Sequence, residues 1–236
     1  MIFDILTLFP GYFEGFLADG VIARAVKRGN ININIVNLRD FTRDRHRITD
    51  DRPFGGGPGM VMKAEPIYLA LKKSLPARFR KTATAPRISD GCRVILMSPQ
   101  GSRLDHACAR RLACYKKVVL ICGRYEGVDE RIMDFVDEEI SLGDFVLTGG
   151  EIPAMALADA VARLSGGVVK ETASVENDSF FSGMLDCPHY TRPRVWRGRE
   201  VPEAVLSGDH AQIEKWRGGM ALAATRKKRP DLLKKR

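Results

Sequence analysis

Several features that would classify this chain at sight are missing from it. It has no G-x-x-x-x-G-K-[ST] run, which argues against a P-loop nucleotide hydrolase. No G-x-G-x-x-G follows a strand-like segment, so neither a dinucleotide site nor the usual Rossmann methyltransferase loop is announced. A G-x-S-x-G elbow is lacking too. Cysteine is sparse: five residues, an odd number, none in a C-x-x-C pair. That argues against a disulfide framework and leaves Cys92 and Cys122, in apolar runs, as buried reduced thiols. The four histidines are scattered, so no zinc spacing is present and no protein-held metal is expected from it. Apolar runs stop well short of a bilayer span. The first ten residues lack a basic leader, are interrupted by Asp4 and end at Pro10. The expectation is a soluble, cytoplasmic protein. Internal repeats and low-complexity tracts are also lacking.

What is present is an ordinary globular composition, 236 residues with 44% hydrophobic and 28% charged, enough to bury a sizeable core. The formal net charge of +9 points to a polyanionic partner, although the same charge also serves solubility alone. Ile2 to Leu8 reads as a buried strand ended by Pro10-Gly11. Phe16 to Lys27 carries an approximate helical stripe, and Ile31 to Ile35 alternates as a strand with one wet face. Strand, helix, strand in that order predicts a parallel α/β layer. Pro66 opens a helix over Ile67 to Leu75. Arg93 to Met97 and Val118 to Cys122 are two further strands joined by a helix over Leu104 to Tyr115. Pro153 opens a helix over Ala154 to Leu164, closed by Gly166-Gly167. Ala77 to Asp90 reads as a basic surface loop. From Ser179, through two tryptophans to a basic end, the pattern is that of a small, mainly helical second domain. The divisions are residues 1–165, a linker over 166–178, and 179–236.

Four dense blocks carry the chemistry. Asp40 to Met60 sets Arg43, Arg45, His46, Arg47, Asp50 and Arg52 before Gly55-Gly56-Gly57-Pro58-Gly59, a combination suited to phosphate. It also reads as a solvated charged loop. Leu96-Met97-Ser98-Pro99-Gln100-Gly101, Cys122 to Arg131 and Ser141 to Pro153 are glycine-bearing turns at strand ends, where open α/β sheets bind ligands. Singly each is a connection. Together they make a pocket of backbone N–H and C=O groups able to read an adenine edge. Asp178 before Ser179 reads as a helix N-cap, or as a carboxylate that takes up a proton. Arg163, near the end of a helix, reads as a cation favoured by the helix dipole.

The blocks Asp51 to Met60, Ser98 to Gly101, Cys122 to Arg131, Gly143 to Pro153 and Leu185 to Pro193, in order and along the whole chain, resemble the bacterial tRNA (guanine-N1)-methyltransferases, the TrmD family of the SPOUT class. The resemblance implies a deep trefoil knot in the α/β domain, formed by the strand-end loops, which is a rare topology that composition does not suggest. It implies a bent S-adenosylmethionine lined by Leu96, Ser98, Pro99, Gly101, Gly123, Tyr125, Glu126, Gly127, Leu142, Leu147, Gly149 and Gly150. It further implies an obligate homodimer with shared active sites, and a target guanosine at position 37, 3′ of the anticodon. Asp178 matches the family's catalytic aspartate and Arg163 its arginine. Glu126 is a candidate for a magnesium ion or for the cofactor's amino group. Arg43, Arg45, His46, Asp50, Arg52, Gly59 and the basic tail are expected on tRNA, and Tyr125 and Phe180 beside the target base. The alternatives are a non-catalytic RNA-binding protein on the same scaffold and a related enzyme acting on ribosomal RNA.

Overall fold

A computed structural model describes residues 1–76, 79, 91–170 and 176–234. The chain divides into two compact units, Met1–Lys170 and Glu171–Arg236.

The first unit is built on a five-stranded sheet from β1 (Ile2–Thr7), β2 (Asn32–Asn37), β5 (Cys92–Arg103), β6 (Lys117–Cys122) and β7 (Glu138–Ser141). Its order is β2-β1-β6-β5-β7, and every pairing is parallel. Two two-residue strands, β3 (Asp50–Asp51) and β4 (Val61–Met62), pair antiparallel beside it. Alternate residues serve opposite faces, as strand geometry requires. Phe3, Ile5, Val118 and Leu120 pack with Leu112, Leu157 and Val161 on one side. Leu6, Leu8, Val119 and Ile121 pack with Ile67, Ala70 and Leu71 on the other. The helices concerned are α4 (His106–Ala113) and α5 (Glu151–Arg163) on the first face and α3 (Ala64–Ser74) on the second. Asp4 is the one charge in β1. It is held by Lys117 Nζ at 2.6 Å and by Asn34 Nδ2 at 2.8 Å, so its burial leaves no unpaired charge.

Two local expectations are corrected, and one strand that the sequence did not delimit is added. The stripe over Phe16 to Lys27 forms two helices, α1 (Glu14–Ala18) and α2 (Gly20–Lys27). Asp19 is extended and caps α2 by accepting from the Gly20 N–H at 2.5 Å, and Gly20 takes φ +89°, so the stripe cannot run through. β7 was hidden in the pattern by its two adjacent glutamates. Glu138 accepts from Arg93 at 2.8 Å and Arg111 at 2.6 Å, which makes a strand of it. Those two cations outweigh the effect of burial and hold its carboxyl below the ordinary range. Finally, no helix begins at Ser179. Phe180 adopts φ +77°, and turns closed by Phe181 N–H to Asp178 C=O and Gly183 N–H to Phe180 C=O take its place.

In the second unit a hairpin pairs β8 (Val195–Trp196) with β9 (Arg199–Glu200), and a short helix spans Glu203–Leu206. A long helix follows over His210–Lys228, N-capped by Asp209, which accepts from the Ala211 and Gln212 N–H groups. Among its described residues only Cys187 and Thr225 are buried. The Thr225 hydroxyl accepts from the Leu185 N–H at 3.0 Å and donates to Ala221 C=O at 2.7 Å. Apart from Phe79, the basic loop expected over Ala77 to Asp90 lies outside the described residues. No described helix is long and apolar enough to cross a membrane.

Candidate functional site

A cavity of about 380 Å³ opens at the carboxyl ends of β5, β6 and β7. The β5 wall arises from an irregularity in pairing. Met97 and Ser102 both register with Ile140 of β7, so the four residues between them leave the sheet as a ledge. Ser98, Pro99 and Gln100 of this ledge line the cavity, below Leu96. Gly101 does not line it. Its role is to let the ledge return to the sheet, since a Cβ there would run into the backbone of Glu139 and Ile140.

The second wall follows β6 and contains Gly123, Tyr125, Glu126 and Gly127, with Tyr125 at φ +59°. The third follows β7 and contains Leu142, Leu147, Gly149 and Gly150. These two walls touch. Gly150 N–H donates to Gly123 C=O at 2.8 Å, and a Cβ on Gly150 would stand 2.7 Å from Cys122 Cα. Burial pushes the Cys122 thiol well above its ordinary value, as expected of an inert core residue.

Sequence reasoning singled out the arginine block but missed the residue that braces these walls. Arg124 Nε donates to Glu151 Oε2 at 2.9 Å, and its Nη1 donates to Thr148 C=O at 3.1 Å. Its guanidinium lies 4.4 Å from the Phe9 ring centroid and 5.2 Å from that of Tyr12. Glu151 is only 1% exposed; its other oxygen accepts from the Thr7 hydroxyl at 2.8 Å. Burial disfavours the Arg124 charge, but Tyr12 and Glu151 outweigh it and its pKa stands above the ordinary arginine value. A buried carboxylate in the first turn of α5 also meets the positive end of that helix. The pair spans 27 residues of sequence, which no local pattern reveals. Phe145 and Val146, at 55% and 82% exposure, form an apolar rim that was likewise not foreseen.

The cavity is tied to the arginine–glycine block. Glu126 N–H donates to Met60 C=O at 3.0 Å, and Met62 N–H to Gly127 C=O at 2.9 Å. The Glu126 side chain lies over Gly59, where a Cβ would strike it. Arg43, Arg45, His46, Arg47 and Arg52 are exposed, as a polyanion-facing loop requires. Asp50 pairs with Met62 through β3 and β4. The loop is shaped from within: the Ile48 N–H donates to Asp44 at 2.9 Å, which holds that carboxyl below its ordinary value. Phe54 is fully exposed at its tip.

Of the two residues expected in the chemistry, one belongs to each unit. Arg163, the last residue of α5, lines a separate hollow with Phe16, Val21, Ile22 and Asp159, and does not line the cavity. Asp178 and Phe180 belong to the second unit, where the Arg229 guanidinium lies 5.7 Å from the Phe180 ring centroid. Three carboxylates, Glu126, Glu130 and Glu139, line the cavity. Among the described residues, however, the one group of three potential metal-ligating side chains is Asp186, Cys187 and His189. There His189 Nε2 lies 2.7 Å from Asp186 Oδ2, a hydrogen-bond length. That bond and the Cys187 N–H outweigh partial burial and lower the Asp186 pKa.

The model of the family described as tRNA (Guanine-1)-methyltransferase TrmD matches residues 1–235. A tRNA (guanine-N(1)-)-methyltransferase of Endomicrobium trichonymphae is 51% identical over 98% of this chain and 99% of its own length. One of Geobacter sulfurreducens is 52% identical over 100% and 92%, respectively. One of Burkholderia cenocepacia is 52% identical over 98% and 86%. With its glycine-walled cavity at three parallel strand ends and a match running along nearly its whole length, the chain belongs to the tRNA (guanine-1)-methyltransferase TrmD family.

Proposed function

We propose that this chain is a cytoplasmic tRNA methyltransferase that transfers a methyl group from S-adenosylmethionine to N1 of the guanosine at position 37, acting as a homodimer. The observation that carries the reading is the cavity itself, in a chain of this family: three loops that present backbone groups and carboxylates rather than a phosphate-binding turn. Such a lining fits the donor. Backbone N–H and C=O groups suit an adenine edge, the ledge and rim supply apolar contact, and Glu126, Glu130 and Glu139 favour a ligand bearing a sulfonium and an ammonium. Leu96, Ser98, Pro99, Gly123, Tyr125, Gly127, Leu142, Leu147, Gly149 and Gly150 would hold it, and Gly101 acts by letting the ledge close. When bound, it supplies an electrophilic methyl group. The three loops are also the segments that would form the knot. Glu126 would hold either the cofactor's amino group or a magnesium ion, which when bound would lend positive charge to the site.

Guanine N1 carries a proton near neutral pH and is a poor nucleophile until it leaves. Asp178 accepts that proton. Charge then spreads to O6, where the Arg163 guanidinium favours the transition state over the ground state. Arg163 stands outside the cavity of its own unit, which supports a site completed by a second copy. Arg43, Arg45, His46, Asp50, Arg52 and Gly59 engage the tRNA, and Tyr125 and Phe180 flank the splayed base.

The test is methyl transfer from labelled S-adenosylmethionine to two transcripts of one tRNA, carrying guanosine or adenosine at position 37. Label on the guanosine transcript alone is the expected result. Label on neither, with the cofactor still bound, overturns the reading in favour of a non-catalytic RNA-binding protein; label at another site overturns the position.

A further inference from the structure

The two tryptophans of the second unit are treated differently by the fold. Trp216, on the long helix, is half-buried with its ring centroid 6.1 Å from that of Tyr190. Trp196 is 58% exposed at the end of β8. A large aromatic left in water on a hairpin tip is the informative kind of exposure, since tryptophan is usually well covered.

The hairpin holds that ring in place. Val195 pairs with Glu200 and Trp196 with Arg199, and the Val201 N–H donates to Arg194 C=O at 3.0 Å. The two turn residues, Arg197 at φ +50° and Gly198 at φ +76°, both adopt the left-handed region, which is the tight turn that matches strand twist. Residues two apart on a strand, and residues directly opposite across a pair, share a face. Arg194, Trp196 and Arg199 therefore stand on one side of the ribbon. The Arg197 guanidinium lies 5.1 Å from the Trp196 ring centroid and covers one side of the ring. Arg194 is fixed by Glu203 at 3.0 Å. Between Arg192 and Glu200 the chain carries four arginines and one glutamate, and every residue is exposed.

An aromatic plane with cations around it is the arrangement by which proteins hold unpaired bases: the base stacks on the ring and the arginines take the flanking phosphates. We infer that the hairpin Val195–Glu200 is an RNA-contacting element in which Trp196 stacks on an unpaired base of the tRNA, with Arg194, Arg197 and Arg199 on the adjoining backbone. This deepens the proposed function and rests on tRNA being the substrate. An acidic protein surface would also meet the arginines, but unpaired RNA joins a flat base to an anionic phosphate at every nucleotide, which matches a ring flanked by cations.

The experiment compares Trp196→Ala and Trp196→Phe in the full-length protein with wild type. Affinity is measured for a tRNA transcript, for its isolated anticodon stem-loop and for a blunt RNA duplex. Trp196→Ala is expected to weaken tRNA and stem-loop binding roughly five- to a hundredfold, with Phe restoring most of it. S-adenosylmethionine affinity and duplex binding should stay unchanged. In a Trp216→Phe background, the remaining Trp196 fluorescence should be quenched as stem-loop is added. Stem-loop binding within twofold of wild type in the Ala variant, or equal losses on stem-loop and duplex, overturns the stacking role. The two readings fail separately. Wild type that binds tRNA but does not methylate it refutes the activity and leaves the hairpin standing; wild type that methylates while Trp196→Ala matches it in kcat/KM and affinity refutes the hairpin alone.

Discussion

In the first unit strand after strand is shut away from water: Phe3, Ile5, Leu6, Val118, Leu120 and Ile121 have no exposed surface. In the second, the nineteen-residue helix His210–Lys228 buries a single residue, Thr225. The first unit owes its order to a packed core, and two of the glycines that line its cavity, Gly149 and Gly150, stand where a Cβ would meet the Arg124 and Glu151 side chains or the Cys122 and Gly123 backbone. The second is shaped by caps, turns and a hairpin, and leaves Trp196 and the arginines around it in water. Substitutions in the two units should therefore announce themselves differently, as lost stability or cofactor binding in one and as lost turnover or RNA binding in the other.

The sharpest contrast is expected at Asp178. Replacement by Asn should lower turnover roughly a hundred- to ten-thousandfold, with Tm unchanged and cofactor affinity within a few fold. Calorimetry and single-turnover kinetics together check this, and a parallel loss of cofactor binding would refute the proton-acceptor role. Arg163 lies in the first unit but should behave like a member of the second: Arg163→Ala is expected to reduce kcat on the order of a hundredfold with little change in Tm. An effect confined to KM would assign it to binding. Gly150→Ala is the converse test. The added methyl meets the backbone of Cys122 and Gly123, so stability should fall by about 1–3 kcal/mol and S-adenosylmethionine binding should be lost. Normal binding by the variant would mean that the walls give way.

Glu138→Gln should cost about 1–2 kcal/mol near neutral pH, because it loosens β7 from Arg93 and Arg111. The folded state lowers this carboxyl's pKa, so its contribution is full above the ordinary carboxylate range and disappears as acid protonates it. The gap between wild type and variant in urea titrations should narrow on acidification; a gap that widens refutes the assignment. The smallest change belongs to the basic helix end. Replacing Arg226, Lys227 and Lys228 by Ala should reduce the salt dependence of tRNA binding by about 0.7–0.9 in log–log slope for each phosphate left without its cation, and leave cofactor binding alone. An unaltered slope would make those cations bystanders.

Much of the first unit was legible because its strands are apolar runs and its helices carry periodic stripes. The strand-end turns that line the cavity were legible for the same reason, as interruptions between such runs. What stayed hidden depends on distant partners. β7 begins with two carboxylates and becomes a strand only when Arg93 and Arg111 neutralise the first of them. Arg124 stands in a block already marked as a turn, but its work is done with Glu151 and Thr148, neither of which belongs to that block. The order β2-β1-β6-β5-β7 follows from packing and not from any segment's pattern. In the second unit the helix expected at Ser179 failed on a single residue, Phe180, whose left-handed backbone no propensity announces.

A strand cannot ordinarily gain or lose a residue without turning every later side chain to the opposite face. β5 escapes that restriction between Met97 and Ser102, because both ends of the ledge are keyed to the same residue, Ile140. The ledge can therefore change length while the sheet on either side keeps its alternation and its hydrogen bonds. That makes it the natural place for the cavity to be resized, whether by descent or by design, with Gly101 as the one position that must stay as it is.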